Sequence, residues 1–272
     1  MSFLLSYLLA AAIGYVGFRV GALSLSGGVA ACVVGGTVFG FGGWGTAVLL
    51  VIFFASSSLL SFFRAGDPAK RRAAETFDKG GRRDAGQVVA NGGVAALVSL
   101  LGYFFPGGFF AGAFLGSLAA ATADTWATEV GVLSKRRPWL VTTGRHVAAG
   151  TSGGVTLLGS AAAAAGALLI GLSAALLSLF QLGGLVAGPL LSSLSAAVAG
   201  GVAGSFIDSL LGASVQASYF CLECEKPTES KVHRCGTPTT PAGGVGWINN
   251  DLVNLAATVM GALVGGAIAV AL

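Results

Sequence analysis

The sequence has little charge. Charged residues make up 10% of the 272 positions, against about 25% in an average soluble domain. Hydrophobic residues make up 54%, and the mean hydropathy is +0.83. A soluble globular protein is excluded on that balance, and so is a disordered chain, which is poor in apolar residues. Cysteine is scarce too. Of four, Cys32 lies in an apolar run and Cys221, Cys224 and Cys235 cluster late, too few and too uneven for a secreted disulfide scaffold. The 44 glycines follow no G-X-Y period, which excludes collagen. There is no GxxxxGK[ST], which excludes a P-loop kinase. No cation precedes Arg19, so the apolar N-terminal stretch is not expected to be a cleavable signal.

What remains is glycine-rich and apolar, the composition of packed transmembrane helices, where small residues let backbones approach closely. Eight apolar segments are read at residues 3–19, 26–40, 45–63, 88–105, 108–125, 154–176, 184–206 and 252–272, each near the length needed to cross a bilayer. Every charged residue falls at Arg19, in 64–84, in 124–145, at Asp208, in 223–234 or at Asp251. With eight spans these places share one membrane face. The connections on the other face, at 40–45, 103–108 and near 181–184, carry no charge. Lys and Arg stay cytoplasmic, so the long loops are expected inside and both termini outside. The expected fold is an all-α polytopic membrane protein with about eight transmembrane helices, one membrane domain over 1–272, and a cytoplasmic Cys/His-containing loop at 218–250.

Five polar motifs stand out on the charged face. In DKGGRRDAGQVVANGG, Arg83, Gln87 and Asn91 step by four and share a helix face; Lys79 extends the stripe and Arg82 adds a cation. Cations at a helix start oppose the dipole, and amides within a span need polar partners. A phosphorylated ligand satisfies both. In GSLAAATADTWATEVG, Asp124 pairs in spacing with Thr128, and Thr125 with Glu129. Carboxylates with interleaved hydroxyls suit Mg²⁺, which takes one or two carboxylates plus phosphates and water. Glu129 fits equally well as an ion-pair partner of Lys135–Arg137. AAGTSGGVT, with Gly150, Thr151, Ser152 and Gly153, opens the sixth span as an anion nest. GSFIDSLLGASVQ brings Asp208 and Ser209, and weakly echoes the run from Gly116 to Asp124. In INNDLVN, Asn250, Asp251 and Asn254 converge at i, i+3 and i+4, where a plain N-cap would explain one of them. Asp124, Asp208 and Asp251 are the expected Mg²⁺ carboxylates. Separately, Cys221, Cys224, His233 and Cys235 present CxxC spacing and four ligand types. They would close a structural Zn²⁺ site or remain free cytoplasmic thiols.

Taken in order, these motifs resemble those of the integral membrane family that includes the plant phytyl-phosphate kinase of tocopherol synthesis. The resemblance covers the chain from about Gly14 onward. It implies kinship with CTP-using membrane kinases of polyprenols and phytol. The implied reaction is prenyl phosphate plus CTP giving prenyl diphosphate plus CDP, with phytyl or geranylgeranyl phosphate as acceptor. The signatures of CDP-diacylglycerol synthases and of CDP-alcohol phosphotransferases are missing. A kinase also fits the residues, since phosphoryl transfer needs cations, Mg²⁺ and in-line positioning rather than covalent protein chemistry. Lys79, Arg82, Arg83 and Asp124 are the expected catalytic residues; CTP, an isoprenyl phosphate and membrane lipid are the expected partners, with no nucleic acid. The competing class is a transporter or flippase of a phosphorylated lipid. Its site would be expected near the midplane, whereas these charges keep to one face.

Overall fold

The computed structural model describes residues 3–63, 65–74, 81–182, 184–186 and 188–272. Eight long helices follow in order: α1 (Phe3–Arg19), α2 (Leu25–Gly42), α3 (Trp44–Phe62), α5 (Ala85–Phe104), α6 (Gly108–Gly131), α7 (Leu157–Leu179), α8 (Leu190–Ser214) and α9 (Asn250–Ala271), with a short α4 (Pro68–Ala74) after α3. Among the described residues, six helices are long and apolar enough to cross a membrane: α2, α3, α5, α7, α8 and α9. Helix α1 is shorter, and α6 carries Asp124 and Glu129 in its last turns.

Several boundaries differ from the sequence reading, and three of them have a local reason. Helix α6 runs past Thr125 to Gly131, because ATADTWATEVG has no helix breaker before its final glycine. Helix α7 starts at Leu157 rather than 154, because the Thr156 hydroxyl caps it by accepting from the Gly159 N–H at 3.0 Å. Helix α8 starts at Leu190 rather than 184. Pro189 is disfavoured in a helix interior, and the residues before it form a 3-10 turn, Gly184–Val186, that tucks Val186 into the core.

Helix α6 is the centre. Twelve consecutive residues, Gly112 to Ala123, are buried, as expected of a helix apolar all round. It packs against α8 and α9 through backbone rather than side chains. A Cβ on Gly116 would lie 2.0 Å from the Gly261 carbonyl oxygen, and one on Gly200 would lie 2.6 Å from Gly116 Cα. One turn on, a Cβ on Gly204 would lie 2.3 Å from that of Ala120. Helices α6 and α8 therefore run parallel in the register 116/200, 120/204, which puts Asp124 beside Asp208. The two Gly-Ser pairs that echo each other in sequence do not face each other: Gly116 meets Gly200, one turn before Gly204.

The polar loops are not wholly irregular. Strands β1 (Trp139–Leu140) and β2 (Gly154–Val155) pair before α7. Between α8 and α9, strands β3 (Ser218–Cys221), β4 (Lys226–Thr228) and β5 (Thr240–Gly243) form an antiparallel sheet in the order β4-β3-β5. The helical expectation holds for the bundle, and this segment corrects it locally.

Candidate functional site

A cavity of about 730 Å³ opens at the end of the bundle where the polar motifs meet. It is lined from the end of α3 (Ser61), α4 (Lys70), the start of α5 (Arg83, Gln87, Asn91) and the end of α6 (Asp124, Thr125, Thr128, Glu129). The loop 149–156, the end of α8 (Asp208, Ser209, Gly212), the sheet segment (Glu229, Arg234) and the start of α9 (Asn250, Asp251, Asn254) complete it. Five motifs far apart in sequence thus share one chamber.

The Asp124 and Asp208 carboxyls face each other at hydrogen-bonding range, as the small-residue register of α6 and α8 requires. Asp208 Oδ1 is buried with no hydrogen-bond partner among the described residues. Facing carboxylates repel unless a proton or a cation lies between them, so the donor chemistry of this pair fits a divalent cation. Helix α9 meets this level through Ala257, whose carbonyl oxygen lies against Gly204. The buried Asn254 follows at the level of the aspartates, and Asp251 sits a turn nearer the mouth. Among the described residues Asp251 does not join the pair in a converging three-ligand group, so the expected triad appears as a pair with a third carboxylate on the wall. The cap of α9 is Asn249, accepting from the Leu252 N–H at 3.1 Å. A plain cap therefore accounts for none of Asn250, Asp251 and Asn254.

Two cations enter the chamber from the loop between α3 and α5. Lys70 was not singled out by the sequence reading. It is 9% exposed, donates to Glu129 Oε2 at 2.6 Å and also donates to the Leu60 carbonyl at 2.6 Å. Ser61 donates to Glu129 Oε1 at 2.6 Å. The expected pairing of Glu129 with Lys135–Arg137 is therefore replaced by Lys70, which α4 brings over the end of α6. Arg83 donates to Ser58 Oγ at 2.8 Å and lies over the Phe54 ring at 5.8 Å. Its backbone bonds Ala22 and Ser24, bracing the loop against the start of α2. Burial lowers the Arg83 pKa and the Glu129 charge opposes that shift; an arginine stays charged nonetheless.

The amide stripe behind Arg83 lines the cavity as expected, but its members also have local duties. Gln87 closes a capping box with Asp84, accepting from the Asp84 N–H at 3.2 Å while Asp84 accepts from the Gln87 N–H at 3.0 Å. Asn91 donates to the Gln87 carbonyl at 2.9 Å. Arg82 is exposed beside Gly21 and does not line the chamber, because the turn that points Arg83 inward turns its neighbour out. Lys79 lies outside the described residues.

The glycine loop is a loop wall ahead of α7 rather than the helix N-terminus expected to open the sixth span. Gly150 (φ 88°) and Gly153 (φ 74°) adopt left-handed backbone, and a Cβ on Gly153 would lie 2.5 Å from the Ser209 carbonyl oxygen. Only glycine lets this loop lie on α8. Ser152 donates a very short hydrogen bond to Glu229, whose Oε1 also accepts from Gln216 Nε2 at 2.8 Å. Glu229 was missed because nothing in the sequence marks it among the charges of its loop.

The Cys/His set lies off the cavity. Cys221, Cys224, His233 and Cys235 present ligand atoms all within 4.8 Å of one another. Cys235 is held down to about 6 by hydrogen bonds involving Thr237 and then His233. Cys224 is pushed up to about 11 by its hydrogen bond with Cys235, then by burial and by Cys221.

Comparison with known proteins places the chain. The profile of the integral membrane protein DUF92 family matches residues 8–262. The chain is 33% identical to Protein PGR of Arabidopsis thaliana over 89% of its own length and 87% of that protein. It is 32% identical to the uncharacterized membrane protein MJ0933 of Methanocaldococcus jannaschii, over 86% of this chain and 82% of that one. The uncharacterized membrane protein sll0875 of Synechocystis is 29% identical over 68% and 69%. No solved structure matches significantly.

Proposed function

The chain belongs to the integral membrane protein DUF92 family, and from that premise we propose that it is a CTP-dependent kinase of an isoprenyl monophosphate. In the reaction, an oxygen of phytyl or geranylgeranyl phosphate attacks the γ-phosphorus of CTP. The bond from that phosphorus to the bridging oxygen breaks, and the products are the isoprenyl diphosphate and CDP. The choice of nucleotide and lipid follows the resemblance of the five motifs; the choice of phosphoryl transfer rests on the cavity.

The observation that carries the reading is the joining, in one chamber, of a facing carboxylate pair, a buried cationic corner and a path to lipid. Asp124 and Asp208 would hold Mg²⁺, which when bound neutralises charge on the β- and γ-phosphates. Arg83 and Lys70 orient phosphate oxygens from the α4–α5 side, and the hydroxyls of Thr151 and Ser209 offer further donors, while the Thr125 hydroxyl, which donates to the Ala121 carbonyl at 2.9 Å, presents its lone pairs. The chamber continues along Ser160 and Ala163 of α7 and Val202, Ser205 and Phe206 of α8. Val202 and Phe206 are exposed on the bundle surface, so a prenyl tail reaches this groove from the bilayer while its phosphate stays in the chamber. An acceptor that is already a phosphate needs no strong general base. The cation-rich end is assigned to the cytoplasm, where CTP is available.

A carrier would need a second opening. The polar lining keeps to one end, and beyond it Gly112 to Ala123 of α6 are buried through the bundle; at the opposite end Phe3, Phe41, Tyr103 and Phe104 form an aromatic patch on the surface, with successive ring centroids 5.0–5.4 Å apart. The test is direct: purified protein in detergent is given CTP labelled in its γ-phosphate, Mg²⁺ and geranylgeranyl or phytyl phosphate. Label recovered in the lipid diphosphate, with CDP released in equal amount, is the expected result. No lipid-dependent CTP consumption with either acceptor would overturn the assignment.

A further inference from the structure

The sheet between α8 and α9 carries a cluster that the cavity chemistry does not use. Cys221 ends β3, Cys224 sits in the hairpin between β3 and β4, and His233 and Cys235 lie in the turn that leads to β5. Cys221 Sγ lies 3.7 Å from Cys235 Sγ, and His233 Nδ1 lies 3.1 Å from the same sulfur. All four cysteines of the chain are free thiols, and a disulfide needs its sulfurs at about 2.05 Å. Two thiolates each about 2.3 Å from a tetrahedral zinc would lie about 3.8 Å apart. Cys221 and His233 are buried while Cys235 is exposed, so the site is closed inward and open to loading from water.

We propose that Cys221, Cys224, His233 and Cys235 bind one Zn²⁺ ion as a closed structural Cys₃His site. Loading releases the thiol protons and involves no change of oxidation state. Three thiolates around Zn²⁺ leave a net charge of −1, next to the basic residues Lys226, Lys231 and Arg234. The site has little else to hold it: β4 has three residues, and β5 is exposed throughout. A sheet this small is marginal alone, and a metal supplies the missing cohesion. The consequence reaches the cavity, because Glu229 follows β4 directly and bonds Ser152 and Gln216. Clipping His233 and Cys235 to the β3–β4 hairpin keeps the segment carrying Glu229 and Arg234 on the chamber wall. Zinc binding itself stands apart from the reaction assigned to that chamber.

The test uses the full chain purified in detergent without added chelator. Elemental analysis is expected to find about one zinc per chain, and Cys224→Ser and Cys235→Ser to lose most of it, while Cys32→Ser, in α2, keeps it. Maleimide labelling supplies a second reading on the unaltered protein. Cys221, Cys224 and Cys235 should resist labelling until a strong zinc chelator is added, and trypsin should then cut at Lys231 or Arg234 while the helices stay intact. Replacement by Co²⁺ should give the intense visible absorption of a tetrahedral thiolate site. Zinc at background level with thiols that label equally with and without chelator overturns the proposal. Iron in place of zinc, or a Cys221–Cys235 disulfide found by mass spectrometry, overturns it as well.

Discussion

The two ends of the bundle begin their helices differently. At the cavity end, α2, α5, α7 and α9 start on Ser24, Asp84, Thr156 and Asn249, and each side chain accepts a backbone N–H of its own first turn. At the opposite end, α3, α6 and α8 start on Gly43, Gly107 and Pro189 with no side-chain cap bond. The first end is a polar chamber in which helix starts must be held still, and a cap stabilises each by about 1 kcal/mol. The second end is aromatic and uncharged. Its helix starts lean on tight connections and ring packing rather than on side-chain acceptors. The difference teaches that the polar residues at one end serve two purposes, anchoring helix starts and lining the cavity, and Gln87, Thr156 and Asn249 do both.

The largest expected effect breaks the comparison at its centre. Asp124→Asn and Asp208→Asn keep volume but remove the facing charges, so CTP turnover should fall on the order of 100-fold or more. Tyr103→Phe at the far end should leave turnover unchanged. Normal rates in both aspartate variants would remove the pair from the mechanism. Arg83→Gln should come next. A charge-assisted hydrogen bond to phosphate is worth about 1.5–3 kcal/mol, or roughly 10- to 150-fold in affinity. Arg83→Lys should recover part of it, lacking the planar fork, and the exposed Arg82→Gln is the control. Equal small changes in substrate affinity for Arg83→Gln and Arg82→Gln would reduce Arg83 to a structural brace.

Glu129→Gln probes the cationic corner through stability. It leaves the buried Lys70 ammonium beside a neutral amide, at a cost of about 1.5–3 kcal/mol, read by equilibrium unfolding in mixed detergent. Lys70→Met with Glu129→Gln should recover part of that loss, because the pair is removed together; an unchanged loss would deny their coupling. Asn249→Ala should cost about 1 kcal/mol by the same measurement, with no loss beyond error counting against the cap. The smallest effect sharpens the contrast from the other side. Gly107 has extended backbone (φ 174°) and open space where a Cβ would go. Gly107→Ser should therefore add a cap to α6 and stabilise by a few tenths of a kcal/mol. Destabilisation instead would show that the far end excludes polar caps.

Much of this architecture was legible in order and position. The eight long helices were found because hydropathy reports spans directly, and the charges marked one end because polar groups are costly in lipid. Arg83, Gln87 and Asn91, and Asp251 with Asn254, were found by helical spacing. Lys70 was not, because its role depends on α4 folding back over α6, which no local pattern encodes. Arg82 falls outside the chamber since adjacent residues leave a turn in opposite directions. Glu229 was invisible for the same kind of reason: its partners, Ser152 and Gln216, are distant in sequence.

The sequence alone thus determined the class, the long helices, the polar end and the residue types of the Cys/His set, because each follows from local composition or short-range periodicity. Tertiary structure decided which polar groups meet. Asp124 reaches Asp208 only because glycines at 116, 200 and 261 let three backbones touch, and Glu129 meets Lys70 only because a short helix crosses the bundle mouth. Those contacts depend on long-range packing between segments, and packing acts on shape and approach distance, which neighbouring letters do not record.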